Sequence, residues 1–472
     1  MAAIADAAGL LAAQKRAFAA DPMPSRETRE ARLDRLGALV LGHEAEIARA
    51  ISADFGHRSA HETRLAEVFV VHAGIRHARR HLGRWMRPRR APTALYYLPG
   101  RNRLLPQPLG AVGIVSPWNY PLQLALAPAV GALAAGNRVL IKPSELTPRF
   151  SELLERLVAQ AFAPEELAVV TGDAAAGAAF VALPFDHLLF TGSTAVGRKV
   201  AEAAARNLVP VTLELGGKSP AILDASCDLA LAAPRIAAGK LLNAGQTCIA
   251  PDYALVPEGR VDAFVEAMRA AAARLYPRYR DNDDYSSIVS DRHYARLRHL
   301  LEDARAKGAR IVDLGEGERV REDAAPRRMP PALVLGATDA MTLMQEEIFG
   351  PILPVVPYRA PDEAIAYVNA RERPLALYWF GEDAAACDRV LARTISGGVT
   401  VNDCLLHIVQ EDQPFGGVGA SGMGAYHGEA GFRTFSKEKP VFYQSRFSGM
   451  ALVRPPYGRV FERVVAMLRR IA

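Results

Sequence analysis

The stretch "LLFTGSTAVGRKVAEAAA", residues 188–205, is an apolar run of strand length, a glycine turn and an alanine-rich helix in one breath. Amides at the start of such a helix can hold a pyrophosphate, although a plain strand-to-helix connection has the same look. Working outward, "LGAVGIVSP" (109–117), "GNRVLIKPS" (136–144) and "LAVVTGD" (167–173) repeat the texture. Each is β-branched or leucine-rich, ends in Pro, Gly, Ser or Asp, and alternates with helical stretches such as 150–162. That alternation predicts an α/β fold with a parallel sheet and crossover helices, with binding residues in the loops after strand C-termini. A second series, "VTLEL" (211–215), "YALVP", "PALVL", "PILPVVPY" and "GGVTVND" (397–403), predicts a second α/β unit beginning near 211. Residues 26–86 read as helices, with Leu33, Leu36, Val40, Ile47 and Ile51 at helical spacing.

The chain has 472 residues, half of them hydrophobic and 23% charged, which suits two or three globular domains. Its net charge of +6 is carried almost wholly by arginine, with only eight lysines among 57 basic residues. The arginines are interspersed with acids and form no basic stripe with aromatics, so no nucleic-acid partner is expected. Four cysteines without CxxC pairs predict neither a metal site nor a disulfide framework. The N-terminus lacks a signal-peptide pattern, and the apolar run 124–136 is too short to span a bilayer and contains Pro128. A cytoplasmic protein is expected.

Two glycine patterns fail on context. "GVGASG" (417–422) matches G-x-G-x-x-G but follows a polar, proline-containing stretch, not a strand. "GSTAVGRK" (192–199) has Arg198 and Lys199 where a phosphate loop needs Lys and then Ser or Thr. In "IKPSE" (141–145), Lys142 and Glu145 fall just past a strand end, where a carboxylate can take ribose hydroxyls and repel a 2′-phosphate. This favours NAD, with NADP admitted if the carboxylate swings aside; a solvated helix start would also suit these residues. "LELGGKSP" (213–220) puts Glu214 between two leucines, and a buried acid is either ion-paired or used. "SPWNYP" (116–121) sets Asn119 on a proline-bracketed loop, as a hydrogen-bond donor or a turn residue. "NAGQTCIAPDY" (243–253) surrounds Cys248 with small residues, a setting unlike that of an ordinary packing cysteine.

Together with "EEIFGPILP" (346–354) and "PFGGVGASGMG" (414–424), these motifs, in this order and over nearly the whole chain, resemble the NAD(P)-dependent aldehyde dehydrogenase superfamily. "PVTLELGGKSP", "APDY" and "GMGAYHG" are similar to its class 3 branch, and "ALYYLPGRNRLLPQPLG" to bacterial coniferyl aldehyde dehydrogenases. The resemblance implies Cys248 as nucleophile, Asn119 as oxyanion donor and Glu214 as the base of deacylation. It also implies that Lys142 and Glu145 hold the adenosine ribose, that Gly192 and Ser193 line the pyrophosphate, and that Glu347 and Phe349 position the nicotinamide ribose and ring. No position departs from the pattern. A thiolate attack, an oxyanion held by the Asn119 and Cys248 amides, and a thioester hydrolysed with help from Glu214 would turn an aldehyde into an acid.

Four readings of the substrate and activity stand: an aromatic or phenylpropanoid aldehyde such as coniferyl aldehyde, an aliphatic aldehyde, a CoA-acylating variant, and a non-catalytic protein of this fold. The expected division is 1–90 with 109–210 for NAD binding and 211–405 for the nucleophile. An arm from 91–108 and 433–447 and a tail, 448–472, complete it. The arm, including a strand at "SKEKPVFYQ" and the "ALYYLP" stretch, would make a homodimer. The tail carries Phe461, Val464, Val465, Leu468 and Ile471 on one face of a basic amphipathic helix. It favours docking on protein over peripheral membrane contact.

Overall fold

A computed structural model describes residues 2–315 and 326–471; the expected second unit's stretch 316–325 and the side chain of Ile471 lie outside what is described. A six-stranded sheet runs in the order Gly422–Met423, Val211–Leu215, His187–Gly192, Ala111–Val115, Arg138–Lys142, Leu167–Val169. All its neighbours are parallel except the first pair. A seven-stranded sheet orders Arg310–Asp313, Ala332–Leu335, Ile352–Tyr358, Tyr253–Pro257, Pro220–Leu223, Ala376–Phe380, Gly398–Val401, and only its outermost pair at Arg310–Asp313 is antiparallel. Both are open α/β sheets, as the alternating pattern predicts.

The change of sheet falls later than the boundary expected at 211. Val211–Leu215 pairs in register with His187–Gly192, Thr191 facing Glu214, and Pro220–Leu223 is the first strand of the other sheet. The chain therefore crosses between sheets through Gly216–Ser219, which leaves Glu214 at the seam. "ALYYLP" is also not a strand. Leu95–Tyr97 forms a 3₁₀ turn, with Tyr97 N donating to Ala94 O at 2.9 Å, and its bracketing prolines have no N–H to give a ladder. The arm is an antiparallel sheet of Arg89–Ala91, Arg101–Pro108 and Ser436–Tyr443.

The helix Pro121–Ala135 starts with proline, where a missing N–H costs nothing, and is buried over nearly its whole length. It ends at Gly136, whose φ of 98° suits glycine. The next residue, Asn137, is fully buried with every side-chain valence used. Its Oδ1 accepts from Leu109 N at 2.8 Å and Gly110 N at 2.9 Å, and its Nδ2 donates to Ala132 O at 3.0 Å and Phe435 O at 2.9 Å. One side chain thus ties the entry of the central strand Ala111–Val115 to the end of this helix and to residues after the second sheet. Replacing Asn137 with Ala strands several buried backbone groups. We expect a loss of about 3 kcal/mol and a fall in Tm of several degrees, read by thermal denaturation; an unchanged Tm would show that these bonds contribute nothing net.

Candidate active site

Cys248 is delivered by an unusual turn. Asn243 and Ala244 both have left-handed backbone (φ 51° and 49°), and Gly245 follows at φ 75°. A Cβ at Gly245 would collide with the carbonyl of Gly350, so this turn packs directly on the "EEIFG" loop. Gln246 locks it: Nε2 donates to Asn243 O at 2.9 Å and Ser287 O at 3.0 Å, and Oε1 accepts from Val289 N at 2.9 Å. Cys248 itself is half-buried and packs against the core.

Asn119 is brought to this turn. Its Nδ2 donates to Gln246 O at 3.2 Å, its own carbonyl accepts from Asn243 Nδ2 at 3.0 Å, and the next residue, Tyr120, meets Thr247 Oγ1 through its hydroxyl at 2.7 Å. From Val211–Leu215 of the same six-stranded sheet that leads into the Asn119 loop comes Glu214, 3% exposed, with neither carboxylate oxygen partnered. Burial pushes its pKa well above the ordinary carboxylate range. The Cys248 thiol is pushed up to about 12, first by burial and then by the charges of Glu347 and Glu214; the amides of Cys248 and Ile249 oppose this. Thiol, Glu214 and Glu347 therefore share one poorly solvated space.

Glu347 lies against the glycines after Glu214. A side chain at Gly216 would strike its carboxylate, and the Gly217 amide stabilises its charge. Even so, burial pushes it up to about 8, with Asp252 adding to the effect. The backbone that carries it is fixed by Arg296, which donates to Ile348 O at 2.8 Å and Glu347 O at 2.6 Å. Phe349, at φ 55°, meets Trp118 edge to face at 5.4 Å between ring centres. So the structure gathers Cys248, Asn119, Glu214, Glu347 and Phe349 in one place.

The remaining residues sit along the carboxyl ends of the parallel strands, where open α/β sheets bind dinucleotides. Lys142 ends one strand, 2% exposed, with Nζ donating to Pro143 O at 2.8 Å; burial lowers its pKa and Glu145 opposes that. Glu145 is exposed. Gly192 ends the next strand, and a Cβ there would come within 2.5 Å of the Phe190 ring. Ser193 caps the helix Thr194–Ala205, its Oγ accepting from Val196 N at 3.4 Å. Ser116 Oγ, just past the strand Ala111–Val115, and Thr191 Oγ1, near the end of His187–Gly192, are buried polar atoms with no protein partner, as is Glu347 Oε1 in the loop before Ile352–Tyr358. Buried hydroxyls are nearly always satisfied, so an orphaned set along one edge fits a polar ligand such as a dinucleotide.

Several members of the site carry no sequence motif that singles them out. Arg58, Glu62 and Glu67 are buried beneath the Asn119 loop. Tyr426, inside the "GMGAYHG" stretch, is buried as well, and burial raises its pKa, with the charges of Glu214, Cys248 and Glu411 adding to it. "GVGASG", refused as a nucleotide fingerprint, closes the site instead: Gly422–Met423 pairs antiparallel with Glu214 and Leu213. Among the described residues no cluster could hold a metal ion, and no helix is long and apolar enough to cross a membrane.

Fold and site together define a dinucleotide-dependent oxidoreductase. The chain belongs to the aldehyde dehydrogenase family, whose description matches residues 2–441. It is 51% identical over 462 residues to a probable coniferyl aldehyde dehydrogenase of Caulobacter vibrioides, covering 97% of this chain and 95% of that one. It is 49% identical over 444 residues to the coniferyl aldehyde dehydrogenase of Pseudomonas sp. strain HR199, covering 94% and 92%. A substrate-bound structure of Staphylococcus aureus AldH superposes with a TM-score of 0.91 at 38% identity, covering 98% of this chain and 99% of that one. The reaction is the NAD(P)-dependent oxidation of an aldehyde to its carboxylic acid.

The raised thiol pKa has a direct consequence for the ligand-free enzyme. Alkylation of Cys248 by iodoacetamide is expected to be slow at pH 7 and to rise about tenfold per pH unit toward alkaline pH, following the thiolate fraction. The buried Cys227, Cys387 and Cys404 should stay unlabelled. Mass spectrometry of the labelled peptides checks both; pH-independent labelling of Cys248 would show a thiolate already formed.

Proposed function

We propose that this enzyme oxidises a phenylpropanoid aldehyde such as coniferyl aldehyde, with Cys248 as nucleophile, Asn119 as oxyanion donor and Glu214 as hydrolytic base. The observation that carries the reading is the buried, wholly unpartnered Glu214 facing the same space as Cys248. Cys248 gives up its S–H proton to solvent and, as the thiolate, attacks the carbonyl carbon, and the oxygen becomes an oxyanion held by Asn119 Nδ2 and the Cys248 amide. When bound, NAD(P)⁺ supplies the hydride acceptor. The carbonyl re-forms as a thioester on Sγ. Glu214 then takes a proton from water, the hydroxide adds to the thioester, the acid leaves, and the thiol is regenerated.

Lys142, Glu145, Gly192, Ser193, Glu347 and Phe349 would hold the cofactor, and the exposed carboxylate of Glu145 supports a preference for NAD over NADP. The first sheet with its helices would be the cofactor unit and the second the nucleophile unit. The names of the relatives above, at about half identity, support the coniferyl substrate. A homodimer built through the arm is supported by the exposed Tyr97, Phe442 and Tyr443 beside its strands. The tail helix Arg459–Ile471, with Phe461 against Tyr457 at 4.8 Å, would dock on protein. Four free cysteines support action in the cytoplasm.

NADH formation with coniferyl aldehyde, benzaldehyde and a medium-chain aldehyde, with and without CoA, tests the reading. CoA-independent turnover, highest kcat/KM for coniferyl aldehyde and none in Cys248→Ala are expected. Turnover that needs CoA would make the enzyme acylating, and an aliphatic optimum would move the substrate class. A second test uses pH. Glu214 acts as a base only when ionised, and its pKa is raised, so kcat should climb with pH above the ordinary carboxylate range. Glu214→Gln should lower kcat by about a hundredfold and let the acyl-enzyme accumulate after one burst of NADH. A wild-type profile unchanged in Glu214→Gln would assign the base elsewhere.

A further inference from the structure

The helical segment before the first sheet reaches into the site through charges that the reaction scheme above leaves unused. Arg58 and Glu67 form an ion pair at 2.9 Å, both side chains 0% exposed. Glu67 sits in a π-helical turn, Arg64–Phe69, that interrupts the helix between Ala60 and Trp85. Such wide turns inside helices frequently accompany functional sites. Burying an ion pair of this kind rarely adds net stability over an apolar pair of similar size. What it does add is direction. Glu67 Oε2 accepts from Leu122 N at 2.7 Å and Gln123 N at 3.2 Å, the first amides of the helix that follows the Asn119 loop. Arg58 Nη1 donates to Asn119 O at 3.0 Å, and its guanidinium lies 4.8 Å from the centre of the Tyr120 ring.

The same segment also grips the nucleophile turn. Glu62 Oε1 accepts from Asn243 N at 3.0 Å, and its Oε2 accepts from Ser286 Oγ at 2.7 Å. Asn243 Nδ2 donates to the same Asn119 carbonyl that Arg58 holds. Four of these contacts thus converge on the backbone of residues 119–123, and the Glu62 bond to Asn243 N fixes the turn that it faces.

We propose that Arg58 and Glu67 are positioning residues that aim the Asn119 side chain at the developing oxyanion. This rests on the oxyanion reading of Asn119 given above. Neither residue touches substrate; both act through the loop. A misplacement of about 1 Å at a reacting group can cost about a hundredfold in rate, so a loop held by a paired charge is a sensitive place to act.

The test is a double-mutant cycle on the full-length enzyme, with kcat measured at saturating aldehyde and NAD⁺ affinity measured separately by titration. Arg58→Met/Glu67→Met removes both partners of the pair together and leaves Glu62 held by Asn243 N and Ser286 Oγ. It should lower kcat by about tenfold with NAD⁺ affinity unchanged. Asn119→Ala alone should lower kcat by about a hundredfold. In the Asn119→Ala background the Met pair should change kcat by less than about twofold, because its effect is already lost. An unchanged kcat in the Met pair, or the same loss in both backgrounds, overturns the proposal. If Asn119→Ala alone leaves kcat unchanged, the oxyanion reading itself fails, and that result is distinguishable from the others. Should the Met pair not fold, Arg58→Lys enters the same cycle: it keeps the charge but replaces the guanidinium whose Nη1 reaches both Glu67 and Asn119 O with a shorter, non-planar ammonium. The same outcomes then decide.

Discussion

The turn that carries Cys248, the proposed nucleophile, rests on a backbone that ordinary residues avoid. Left-handed geometry at two successive non-glycine positions, Asn243 and Ala244, costs on the order of 1–2 kcal/mol each. It persists only because its surroundings over-determine it. Glu62 takes the Asn243 amide, Gln246 bridges Asn243 to Ser287 and Val289, and Gly245 leaves no room for any side chain against Gly350. The rest of the site is arranged around that turn, since it is what points Cys248 toward the seam between the two sheets.

A second set of contacts holds the far side of the seam. Lys218 pairs with Asp252 and donates to Leu343 O at 2.7 Å and Glu346 O at 3.0 Å. Asp252 Oδ1 in turn accepts from Ile348 N at 3.0 Å. Three segments distant in sequence, "GGKSP", "APDY" and "EEIFG", are thereby one structural unit. Their polar residues need not all touch substrate; a buried charge that is fully hydrogen-bonded rigidifies the loops that do.

Periodicity alone made the two series of strands legible, because buried parallel strands are continuous apolar runs that end in turn-forming residues. Glu214 was legible for the same reason: an acid inside such a run breaks the pattern. The boundary was not, since Val211–Leu215 has the strand texture of either series, and only pairing partners decide which sheet it joins. Nor were Arg58, Glu62 and Glu67. They lie in a charge-rich helical region, Arg58 in the connection before Ala60–Thr63 and Glu62 and Glu67 in the helical turns after it, where the ordinary expectation is a solvated face, and nothing local distinguishes the three that are buried.

The contrast between the buried acids supports the assignment of roles. Glu62 and Glu67 each receive hydrogen bonds from backbone or hydroxyl groups, Glu67 has a paired arginine, and Asp252 has a lysine. A carboxylate so held is ordered, and its oxygens are occupied. Among the described buried acids, Glu214 is alone in having both oxygens without a partner while standing at the edge of the space around Cys248. Retaining a group in that condition is costly to folding, and a structural acid in the same strand would be expected to find a donor. A base for hydrolysis has the opposite requirement. Its oxygens must be free to take a water, and its pKa must be high enough to make the proton transfer favourable. The absence of any protein donor and the raised pKa follow from one cause, burial without compensation. That burial is set by where the chain crosses from the first sheet to the second.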